Sequence, residues 1–176
     1  MNKIVSPLLI ITFAVSLRLL PHLPNMAPIA AMALFGGVYL NKKYAILVPL
    51  IAMFISDVFI GFHNTMLFVY GSFLITGFMG IWLRKRKSAQ AIIGASLSSS
   101  LLFFVITNFG VWFMGGIYPK TLNGFIESYV YALPFFRNTI VGDLFYTGLF
   151  FGSYEVLLNT ILRRSFKESK IKSGGS

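Results

Sequence analysis

Six apolar runs dominate this chain and constrain its fold more than any other feature. They cover roughly residues 4–20, 27–41, 44–62, 66–83, 88–114 and 134–162, and about 20 apolar residues is the length at which a helix crosses a bilayer core. Charge is too scarce for the runs to be the inside of a soluble globule. Of 176 residues, 11% are charged and 56% hydrophobic, where a soluble domain carries about a quarter charged. The expected fold is an all-α membrane protein with six transmembrane helices in a single domain, 1–172, followed by a flexible polar tail, 173–176. A chain this short excludes a two-domain pump, and the lack of a GxxxxGK[ST] loop excludes nucleotide hydrolysis by that route.

The net charge of +10 is organised by the apolar runs. Lys42-Lys43, Arg84-Lys85-Arg86-Lys87 and the segment Arg163 through Lys172 each follow a run directly. Basic loops stay on the cytoplasmic side and touch anionic headgroups. Six spans with cytoplasmic N- and C-termini put all three clusters inside. The loops 21–26, 63–65 and 115–133, with Lys120 as their one lysine and no arginine, then face outward. An odd number of spans would put the tail on the wrong side. Nucleic acid is not an expected partner, since groove-reading motifs are missing. Without cysteine there is neither disulfide nor thiolate chemistry. Lys3, the stretch Ile4–Val15 and the small residues Ala14 and Ser16 resemble a signal peptide, but Arg18 and the PHLPN segment after it read as part of the folded unit, so the first span is expected to be retained.

Charged residues inside apolar runs are the informative ones, because each costs at least ~2.5–3.5 kcal/mol at mid-membrane unless paired or functional. Four stand out: Arg18, Asp57, Arg137 and Asp143. Either they neutralise one another as ion pairs between helices, or they line an outward-facing pocket. Glu155, near the basic tail, reads as structural. Other polar and aromatic groups gather at the same outer level: His22, Asn25, His63, Asn64, Thr107, Asn108, Trp112, Tyr118 and Asn138. A concave site with aromatic walls and a few convergent polar groups is the usual form of a small-molecule pocket. His22 and His63 lack a third ligand, so no metal or cofactor is expected. No catalytic spacing is present, and Ser96, Ser98, Ser99 and Ser100 read as small residues for helix packing.

Three further segments carry expectations. The second run is short and preceded by Pro21, Pro24 and Pro28, which predicts a tilted or partly re-entrant helix. The outer loop 115–133 holds a Gly-Gly hinge and an amphipathic stretch Leu122–Tyr131, either an interfacial helix or a lid. Segments 36–57 and 116–143 echo one another, each closing on an aspartate, as inverted repeats do.

The strings RLLPHLPNMAPIAAMALFGG (18–37), PLIAMFISD (49–57), TNFGVWFMGGIYP (107–119) and LPFFRNTIVGD (133–143) resemble a group of small, uncharacterised bacterial inner-membrane proteins. That group in turn resembles the substrate-binding S components of energy-coupling-factor (ECF) vitamin transporters, through six helices, both ends inside, an early Gly-Gly after an Ala-rich helix and an acid closing span 3. The resemblance implies a multi-pass protein of the bacterial inner membrane that binds a vitamin or precursor from outside. It also implies a partner, a transmembrane coupling protein driven by ATPases, docked through Ala27-x-x-x-Ala31. Here that motif falls on the second span, whereas the family carries it on the first. Solitary cobalamin-transporting relatives hold cobalt with a cysteine, which this chain lacks.

The leading expectation is therefore non-catalytic uptake of a small organic solute. Arg18, His22, Asn25, Asp57, Asn108, Arg137, Asn138 and Asp143 would supply polar contacts, Trp112 and Tyr118 would be aromatic walls, and the arginines would suit an anionic group. The alternative is a membrane scaffold of a cell-envelope assembly in which the buried charges only lock helices together.

Overall fold

A computed structural model describes residues 12–13, 15–20 and 25–173, with side chains as far as Val156. Regular structure among the described residues is entirely helical. After a helical stretch at 15–19 come α1 (Ile29–Tyr39), α2 (Lys42–Ile60), α3 (Met66–Leu83), α4 (Ala89–Met114), α5 (Leu122–Val130) and α6 (Leu133–Ser173). Helices α2, α3 and α4 are each long and apolar enough to cross a membrane, and the chain is a helical membrane protein. Residues 4–11 of the first run, the Ala14 of the signal-like segment, His22 and 174–176 of the tail lie outside the described residues.

Helix α1 is the hub, packing on α2, α3, α4 and α6. Its 11 residues rise only about 16 Å, half the thickness of a hydrocarbon core. Every position from Ile29 to Val38 except Phe35 is buried, so its apolar character is matched all round by neighbouring helices. Ala31 is fully enclosed. Ala27 is half-buried, and the small residues of this stretch let neighbouring helices close in within the bundle. Contact is tightest against α3, where a Cβ on Gly37 would lie 2.5 Å from the backbone of Gly80.

Helix ends are satisfied in sequence-specific ways. Ser88 accepts from the Ala91 N–H and starts α4, and Thr121 accepts from the Gly124 N–H and starts α5, as N-caps do. The carbonyls at the end of α1 are met from another element. Arg84, at the close of α3, donates through Nε to Gly37 O at 2.6 Å and through Nη2 to Leu40 O. One residue of the basic run thus has a structural role. Hydroxyls join helices farther in, Thr76 with Ser99 at 2.8 Å and Ser96 with Thr147 at 3.2 Å, the role expected of the α4 serines. Segments 36–57 and 116–143 both end inside a long helix, but the first enters it from a helix end and the second from a loop and a short helix.

Candidate functional site

At the end of the bundle away from the basic turn 84–88, the first turns of α3, the last turns of α4, helix α5 and the start of α6 leave a cavity of about 440 Å³. Its walls are aromatic and aliphatic. Phe103, Phe104 and Val111 come from α4, Phe135 and Phe136 from α6, Val69 from α3. Phe104 and Phe136 face each other with ring centres 4.5 Å apart. Tyr118 and Tyr131 lie nearly parallel, 13° between planes and 6.3 Å between centres. Polar groups arrive from five segments: Asn25, His63 and Thr65, Thr107 and Asn108, Ser128, and Thr139.

Most of these polar groups already donate to protein. Thr107, Asn108, Ser128 and Thr139 donate to Phe103 O, Phe104 O, Phe125 O and Phe135 O at 2.7, 2.7, 2.7 and 3.0 Å. A hydroxyl whose proton is engaged keeps its lone pairs, and Asn108 keeps its side-chain oxygen. The helix-borne part of the lining is therefore rich in acceptors. No Asp, Glu, Lys or Arg lines the cavity among the described residues.

Of the residues expected at a site, the structure gathers Asn25, Asn108 and Tyr118 there, with His63 and Thr107 beside them. Asn25 sits in the left-handed region at φ 61°, which Asn tolerates better than most residues. The four charged residues are elsewhere. Arg18 reaches Asp57 at 2.7 Å and donates to Ser56 Oγ at 2.6 Å and Met53 O at 3.1 Å. Tyr70 donates to the other carboxylate oxygen of Asp57 at 2.7 Å. Arg18 and Tyr70 together hold the two oxygens of this buried acid. Arg137 and Asp143, the other two charges, part company along α6. Asp143 is buried and accepts from Ser100 at 2.7 Å, while Arg137 is exposed. The reason is helical phase: Asp143 lies one turn below Thr139 on the inward stripe, whereas Arg137 is two residues from Thr139 and so about 200° around the helix.

Trp112 and Asn138 do not line the cavity. Trp112 instead fixes the loop that borders it, donating to Pro119 O at 3.1 Å. Lys120 lies over its ring at 5.5 Å and donates to Phe113 O at 2.8 Å and to Trp112 O. The amphipathic stretch forms α5, which exposes Leu122, Ile126 and Val130 and turns Ser128 to the cavity. It is an amphipathic helix that walls the site. Sequence reading missed the wall residues Phe103, Phe104, Phe135, Phe136, Ser128 and Thr139. Their pairing at helical spacing, 104 with 107 and 108, 135 with 139, was the available signal.

The fold and cavity define a helical membrane protein with an aromatic pocket at one end. The chain belongs to a family of unknown function, DUF6580, which matches residues 1–167. Neither a curated protein nor a solved structure matches it.

Proposed function

We propose that this protein captures a small, uncharged, planar aromatic solute with N–H donors from the outer face of a bacterial inner membrane and carries it inward. It does so as a non-catalytic six-span bundle with both termini cytoplasmic. The carrying observation is the cavity itself: about 440 Å³, walled by facing aromatic rings, lined by engaged hydroxyls and an amide that offer acceptors, and free of Asp, Glu, Lys and Arg among the described residues. The anionic solute first expected from Arg18 and Arg137 fits this lining poorly, because neither arginine reaches it. The resemblance to ECF S components supports uptake of a vitamin-like heterocycle. A coupling protein, if one is used, would have to dock elsewhere than on the buried Ala31.

The test is native mass spectrometry of the protein purified from its own host. A stoichiometric small-molecule adduct is expected, retained by Arg137→Ala and lost from Asn108→Leu, which removes an acceptor and fills the cavity. An adduct-free protein held in a stable protein complex would overturn the reading. That result would favour the scaffold alternative, which the self-contained Arg18–Asp57 pair also suits.

A further inference from the structure

A second concavity lies toward the opposite end of the bundle, between α3 and α4. Ile75, Phe78, Met79 and Trp82 form one side at helical spacing, and Ala91, Gly94, Ala95 and Ser98 the other, enclosing about 580 Å³. Trp82 and Phe78 stand 59% and 55% exposed as rims, above a floor of small residues. The floor is unfilled at its centre: a Cβ on Gly94 would meet nothing within 4 Å. From Ile75 to Trp82 the groove runs about 10 Å along the helix, opening on the outside of the bundle.

Its mouth is basic. Arg86 lines it and lies over the Trp82 ring at 4.8 Å, and Lys85, next to it in the chain, is exposed. The two other cations of the run are engaged, Arg84 with the end of α1 and Lys87 over Tyr39 at 4.7 Å. Among the described side chains no acid balances Lys85 and Arg86. Asp57 and Asp143 are buried, Glu127 belongs to α5 at the other end, and Glu155 accepts from Tyr39 at 3.5 Å.

We infer that this groove is a binding site for one anionic glycerophospholipid, with an acyl chain between Phe78, Trp82 and Gly94 and its phosphodiester at Arg86 and Lys85. An apolar slot with a cationic mouth at headgroup level matches both halves of such a molecule, and the aromatic–guanidinium pair sits where interfacial anchors sit. A zwitterionic lipid would fill the slot but bring its own cation to an already cationic mouth. A protein partner would have to match a mouth that carries net positive charge and a slot one chain wide.

The test uses the full chain in nanodiscs of equimolar phosphatidylglycerol and phosphatidylcholine with identical acyl chains, released into mild detergent and read by native mass spectrometry. One retained phosphatidylglycerol per protein is expected. Arg86→Gln should lower the phosphatidylglycerol preference about fivefold, the worth of one headgroup cation. Gly94→Leu should abolish retention of both lipids without lowering the unfolding temperature, since the new side chain enters open space. Equal retention of the two lipids, or retention unchanged in both variants, would overturn the inference and leave only the ordinary lipid annulus. So would a protein occupying the groove in place of lipid.

Discussion

The contact between Arg18 and Asp57 gives the sharpest test of how buried charge is used here. Asp57 keeps 1% of its side-chain exposure and Arg18 keeps 14%, so removing either partner strands the other away from water. A stranded member of a buried pair costs about 3–5 kcal/mol, and the residual exposure of Arg18 places Asp57→Ala at the lower end of that range. Arg18→Ala is the harsher change. It leaves Asp57 with a single donor, Tyr70, and also takes a guanidinium from Ser56 and Met53 O. In thermal unfolding of the detergent-solubilised protein these losses correspond to a drop on the order of 10 °C. Replacing both partners with apolar residues, Arg18→Met with Asp57→Leu, should recover most of the loss, because no charge is then left to desolvate. Solute retention should follow the fold and return with the double variant. A stable Asp57→Ala protein that has lost its solute would refute this reasoning and return Asp57 to the binding site. A double variant as unstable as Arg18→Ala would refute it as well.

Other substitutions separate packing from chemistry. Gly80→Ala would place a Cβ 2.5 Å from Leu34 O and 2.9 Å from Gly37 Cα. Backbone cannot yield to it, so a loss of about 1–3 kcal/mol or more is expected in thermal unfolding. Gly71→Ala in the same helix meets nothing within 4 Å, and should be neutral or slightly stabilising through helix propensity. Ser100→Ala removes the hydroxyl that donates to buried Asp143 and should cost about 1–3 kcal/mol, with Ser100→Thr retaining most of the stability. Arg137→Ala, on an exposed face, should stay within about 0.5 kcal/mol of the parent protein.

Much of the fold is legible in the apolar runs, because lipid forces the backbone to satisfy its hydrogen bonds within each helix and so ties helix to hydropathy. The amphipathic stretch after Thr121 and the start at Ser88 are equally local, since a cap and a periodic face are properties of neighbouring residues. Part of the site is legible too: Asn25, His63, Thr107, Asn108 and Tyr118 were placed at one level by counting along the spans. Level is one coordinate, however, and a cavity needs three.

The rest was decided by how helices meet. Counting placed Arg137 and Asp143 on one span, but the phase of α6 sends one outward and the other inward, with Asp143 and Thr147 packing on Ser100 and Ser96 of α4. The alanines of α1 are small in any context. Whether they face a partner or the bundle depends on Gly37 meeting Gly80, residues that are 43 positions apart in the chain. Sequence alone determined that this is a helical membrane protein with charges at defined depths, because hydropathy and charge placement act residue by residue. Which charges pair, which small face is buried and where a cavity remains were left to the tertiary structure, because each depends on surfaces of distant segments that no local property of either one specifies.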